Sequence, residues 1–137
     1  MTFRPVEKRK VKALENTVSI STIKELINPG ASREKYKVKT YIADGVIVLE
    51  GFVALNSSGT ALSMTLADPG YTGRHLIITQ IDGGTDGHTV TAATSGAFDG
   101  TNEIATFNAQ YETLILVSVA STRWVIVENV GSVGLST

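Results

Sequence analysis

Apolar residues follow two different rhythms along the chain. From Tyr36 onward they fall on alternate positions in short runs, the period of a half-buried strand. Tyr36, Val38 and Thr40 alternate with Lys37, Lys39 and Tyr41, and Gly45 breaks the run. Val46 to Leu49 is apolar at every position, and Phe52 to Leu55 follows. Leu62, Met64 and Leu66 alternate with Ser63 and Thr65. Leu76–Ile81, His88–Ala92, the stretch around Ile104 and Thr106, Thr113–Val119 and Arg123–Val127 complete the set. Between them stand turn signals: Asn56-Ser57-Ser58-Gly59, Asp68-Pro69-Gly70, Asp82 to Gly87, and Phe98 to Asn102. Proline presets φ in such turns and glycine accepts positive φ. Ala120-Ser121-Thr122 predicts a tight hairpin. The pattern predicts an all-β body, a sandwich or barrel of about eight short antiparallel strands. The tail from Gly131 to Thr137 is small and polar and carries no predicted element.

Before Tyr36 the rhythm differs. Ile20, Ile23 and Ile27 recur at three- and four-residue steps, which share one helix face. A short helix is predicted over Ser21–Ile27. Ser19 or Ser21 caps it, Glu25 bonds back toward its start, and Asn28-Pro29-Gly30 ends it. Thr2 to Asn16 has no sustained apolar period and reads as an extended arm.

Charge sharpens this division. Residues 1–39 hold ten Lys/Arg against four Asp/Glu, a net +6; residues 40–137 hold two against nine, a net −7. The chain is read as a basic arm with one short helix, residues 1–39, and a β-body, residues 40–137. Arg4, Lys8, Arg9, Lys10 and Lys12 are the candidate docking residues, aimed at a negatively charged surface. Only Phe3 accompanies them, whereas single-strand nucleic-acid binders interleave aromatics with charge. A protein neighbour is therefore the preferred partner, with nucleic acid the weaker choice.

Candidate chemistry adds little. The 137 residues include no cysteine, so disulfides and thiolate metal sites are excluded. His75 and His88 read as surface or strand-end residues, since a zinc site needs three or four ligands. Asp82 to Gly87 faintly resembles a calcium loop, but the third position is Gly84 and the twelfth Ala93. Asp82, Asp86, Asp99 and Glu103 read as acidic turn residues, not as a glycosidase pair. Replacing Asp82 or Asp86 by alanine is expected to change stability by no more than ~0.5 kcal/mol. There is no Gly-x-Ser-x-Gly elbow and no phosphate loop. The reading is of a protein that is not an enzyme and uses no cofactor, metal or small-molecule substrate. No stretch is long and apolar enough for a membrane-spanning helix, and no secretory signal stands at the N-terminus.

Trp124 shares a strand face with Ile126 and Glu128, with Arg123, Val125 and Val127 opposite. Core packing is the simpler role for its ring, and a sugar-stacking platform the sharper one. Val46, Val48, Leu116, Trp124 and Ile126 are predicted to lie in the core or a subunit interface. Val46–Leu49 and Leu114–Val119 are apolar on both faces, which calls for cover from a symmetric oligomer.

The stretch from Ala61 to Val130 resembles small β-domains of bacteriophage virion proteins, head-decoration (capsid cement) proteins above all and some fibre modules. The residues that carry the resemblance are the strand ending in Ala67-Asp68-Pro69, Leu76-Ile77-Ile78-Thr79, and His88-Thr89-Val90-Thr91-Ala92. The Phe98-Asp99-Gly100-Thr101 turn and the closing pair Leu114-Ile115-Leu116-Val117 and Thr122-Arg123-Trp124-Val125-Ile126 complete them. The resemblance implies a homotrimer on local three-fold positions of a shell, bound to the major capsid protein, with no catalytic residues. It places the protein on the virion surface after assembly in a host cytoplasm. A glycan-recognising tail-fibre or receptor-binding module is the alternative. The chain's own Met1 and lack of a shaft repeat favour decoration.

Overall fold

The computed structural model describes residues 37–85 and 87–137. Residues 1–36 of the arm, with its predicted helix and the five basic docking candidates, lie outside these residues, while Val38 and Lys39 belong to the first strand. Within them the protein is all-β, with ten strands and no helix. The strands are β1 (Val38–Tyr41), β2 (Gly45–Val46), β3 (Gly51–Leu55), β4 (Ser63–Leu66), β5 (His75–Gln80), β6 (His88–Ala92), β7 (Ile104–Phe107), β8 (Thr113–Ala120), β9 (Arg123–Val130) and β10 (Gly134–Ser136).

They form two five-stranded sheets, ordered β1-β3-β5-β8-β9 and β10-β7-β6-β4-β2. The chain changes sheet at every step from β1 to β6. Strands two apart therefore become neighbours, and they run parallel: β1 with β3, β3 with β5, β2 with β4, β4 with β6. The turns after Leu55 and Leu66 carry the chain across the core instead of folding it back on the same sheet. Antiparallel pairing begins only with β7, which pairs β6, and β8, which pairs β5 and then β9. The expected antiparallel body is thus corrected to two mixed sheets, not closed into a barrel. The expected count of about eight rises to ten. One added strand is β10, in the tail that carried no predicted element, where Leu135 pairs Ala105 of β7.

The two sheets share one core. Val53, Leu55, Leu76, Ile78, Leu114 and Leu116 enter it from the first sheet, and Met64, Leu66, Val90 and Phe107 from the second. Alternation along each strand puts these side chains on one face. Phe98, from the loop before β7, and Val133, before β10, close the core between the sheets' strands. Val46–Leu49 does not form the continuous strand its apolar run suggested. Only Gly45–Val46 pairs in the sheet, and Ile47 alone of the four is fully buried.

Candidate functional site

The predicted interface-or-core residues divide. Leu116 and Trp124 are buried, and the Trp124 indole donates to the Ala67 carbonyl at 3.4 Å. A sugar-stacking role for that ring is therefore excluded. Ile126 is half-buried against the core. Val46 and Val48 are not in the core: they are 64% and 38% exposed, on the outward side of a segment anchored by Ile47, where only the interface half of the expectation applies to them.

The candidate acidic residues serve the backbone. Asp99 accepts from the Thr101 and Asn102 N–H groups at 2.9 and 2.7 Å, and from the Asn102 amide at 2.7 Å. These bonds, those of Asn102 first, hold its carboxyl below the usual range. Glu103 accepts from the Gly96 N–H at 3.0 Å. Asp86 lies outside the described residues.

Asp82 is also corrected, since it does not sit on a loop surface, and His88 stands at the strand end expected of it, the first residue of β6, but not at the surface. His88 is fully buried, and its Nε2 lies 2.7 Å from Asp82 Oδ2. His88 Nδ1 accepts from the Leu62 N–H at 2.9 Å, which places the ring proton on Nε2, donating to Asp82. The Asp82 carboxylate also accepts from the Ser57 and Gly84 N–H groups at 3.1 and 2.9 Å, and from the Gln80 amide at 3.1 Å. Burial pushes its carboxyl up, but the bonds from His88, Gly84 and Ser57 outweigh that and hold it below its ordinary value. One side-chain cluster thereby ties the β3–β4 connection to the β5–β6 connection. The spacing Asp82-x5-His88 gave no hint of it, because the third and fourth partners are backbone groups 20 or more residues earlier.

The outward face of the first sheet is different in kind. Register aligns Val38, Phe52, Ile77 and Ile115 in one row across β1, β3, β5 and β8. A second row runs through His75, Val117 and Val125. Val119, Val127 and Val130 extend the apolar surface along β8 and β9, at 48%, 61% and 44% exposure. A sheet with one solvated face ordinarily alternates apolar-in with polar-out, and here much of the outward side is apolar, interrupted by His75, Thr79, Thr113 and Glu128.

Two adjoining recesses lie at one corner of this face, where β3 and β5 begin. One, of about 500 Å³, is lined by Gly51, Phe52, His75 and Ile77, and the other by Glu50, Gly51, Gly73 and His75. Glu50 Oε1 accepts from the Tyr71 hydroxyl at 2.8 Å and from Arg74 Nη1 at 2.9 Å. The Arg74 guanidinium lies 4.0 Å above the Tyr71 ring. The hydrogen bond to Glu50 raises the Tyr71 phenol above its ordinary value, so it stays a donor. Tyr71, Arg74 and His75 share one stretch of chain, and the crossing chain path brings Glu50 to them. Among the described residues, no group of three or more His, Asp or Glu side chains is placed to hold a metal ion. The sequence matches no protein-family model and no curated protein.

Proposed function

We propose that this chain is a structural virion protein, not an enzyme, which binds the outside of a phage capsid and reinforces the shell as a homotrimer. The observation that carries the reading is the outward apolar surface of β8 and β9. Val117, Val119, Val125 and Val127 make an apolar patch of the kind that marks a protein contact, with Glu128 between it and Val130 along β9. It borders the outer side of β9, an eight-residue strand at the edge of its sheet among the described residues, where the Trp124 N–H alone is taken, by the Ala97 carbonyl. Long apolar edges invite pairing with another chain unless something covers them. A sister subunit covers both features at once, and closed symmetry limits the assembly to a small oligomer. The acidic turn residues support a non-catalytic role, since Asp82, Asp99 and Glu103 are already engaged by backbone donors.

The test is the mass in solution. Light scattering on the intact protein is expected to give three times the 14.5 kDa chain. Val125→Asp with Val127→Asp should shift it to a monomer, because a carboxylate in an apolar contact must be desolvated unpaired. The isolated chain should melt within a few degrees of the parent, as surface changes cost about 0.5 kcal/mol or less. A parent that is strictly monomeric at micromolar concentration removes this reading's physical basis.

Shell binding is assigned to the basic arm and the major capsid protein. Deleting residues 1–35 is expected to leave a folded body that binds DNA-free expanded shells far more weakly. Raising the salt should bring the intact protein toward the truncated one, since exposed charge contacts are screened over about 8–10 Å. Equal binding by both forms assigns docking to the body instead.

A further inference from the structure

The corner recess on the first sheet has a composition that the apolar β8–β9 surface lacks. Its floor is Phe52 and Ile77, with Gly51 between the two openings. Its polar lining is Glu50 and His75, and Tyr71 and Arg74 stand beside it, bonded to Glu50. Glu50 is oriented rather than loose. Both of its donors, the Tyr71 hydroxyl and Arg74, bond to Oε1. Oε2 receives no bond from any described residue and remains an acceptor. The imidazole of His75 likewise makes no side-chain hydrogen bond among the described residues and is exposed. Tyr71 is 54% exposed, yet its ring is held by the guanidinium stacked on it and by the bond to Glu50.

We infer that this recess binds a neutral saccharide ring. A pyranose presents C–H groups on its faces and hydroxyls at its edge. The C–H face matches the Phe52 and Ile77 side chains, while the hydroxyls match Glu50 Oε2 and the His75 nitrogens. Pockets for small ligands combine an apolar lining with a few placed polar groups in this way. Other ligand classes fit less well. An anion finds only Arg74, whose charge is already met by Glu50 at 2.9 Å. An extended peptide needs a free strand edge, but β3 lies between β1 and β5, and β5 between β3 and β8. The inference does not rest on the shell reading. The recess meets the surface given to the sister subunit where His75 pairs Val117, but sugar binding stands or falls without any capsid.

The experiment is a titration of the intact, ¹⁵N-labelled protein with maltohexaose, cellohexaose and tetra-N-acetylchitotetraose, followed by amide shifts. At least one sugar is expected to bind saturably at ~0.1–1 mM, with the largest shifts at Gly51, Phe52, His75 and Ile77. Glu50→Ala and, separately, Phe52→Ser should each weaken binding at least ~tenfold. Their shifts away from the recess should stay those of the folded parent. A variant that fails to fold leaves the decision to the shift map on the parent protein. The inference is overturned by no saturable shift with any of the three sugars, by shifts centred elsewhere, or by unchanged affinity in both folded variants. Inorganic phosphate at the same corner, with no sugar binding, also overturns it and makes the site an anion site.

Discussion

Replacing Trp124 by alanine is expected to lower the unfolding free energy by ~3–5 kcal/mol, the range for deleting a buried aromatic. The ring is 1% exposed and is among the largest side chains in the core. It enters from β9, whose other residues are mostly exposed, so it is the main anchor of that strand. The Trp124 N–H bonds to the Ala97 carbonyl and the indole N–H to Ala67, which ties β9 to loops before β5 and β7. Removal therefore leaves a large cavity, while Ala67, an exposed residue, loses only a long bond that water can replace. Trp124→Phe keeps one aromatic ring and removes the fused pyrrole with its N–H, so it leaves a smaller void. It should lose about 1–2 kcal/mol, the cost of that partial void. Denaturant unfolding of all three proteins checks this. An alanine variant within ~1 kcal/mol of the parent would mean that β9 is held by contacts other than this ring.

Trp124 also shows what a sequence can disclose. Its burial follows from period-two alternation, as does that of Met64, Leu66, Leu76, Ile78, Leu114 and Leu116. The β8–β9 hairpin was legible for the same reason, with a short polar turn between two strong runs. Strand direction was not legible. Turn residues such as Asn56-Ser57-Ser58-Gly59 report that the chain bends, and bending within a sheet or across the core uses the same residue types. Here the early turns cross the core, so short connections produce parallel neighbours. The run Val46–Leu49 is apolar on both faces, as its sequence shows, but it is not one continuous strand: Ile47 is fully buried, Leu49 packs partly against the core, and the sheet pairing ends after two residues. The corner recess and the Asp82–His88 contact depend on which loops meet, which local periodicity does not encode.

Asp82→Ala is expected to cost ~2–4 kcal/mol, far above the surface-loop value that its Gly-rich context suggested. The carboxylate accepts from four donors: Ser57 N, Gly84 N, the Gln80 amide and His88 Nε2. Alanine leaves the His88 proton buried with no acceptor, and the ring cannot change tautomer freely because Nδ1 is committed to the Leu62 N–H. Asp82→Asn is the sharper probe, since it keeps the shape. An amide NH₂ must replace one oxygen, and every group facing that oxygen is itself a donor. One side meets Ser57 N–H and His88 Nε2, and the other meets Gly84 N–H and Gln80 Nε2. Asparagine should therefore be destabilising too, by at least ~1 kcal/mol. The pH dependence follows from the same contacts. The folded carboxyl titrates below its unfolded value near 3.9, so its contribution is complete above about pH 5. It is lost as the pH falls through the depressed folded value, because the unfolded chain binds the proton first. Denaturant unfolding from pH 7 down to pH 2 should show a steeper acid-side loss for the parent than for either variant. Parallel curves for parent and variants would remove the linkage, and an alanine variant as stable as the parent at pH 7 would remove the structural role of this carboxylate.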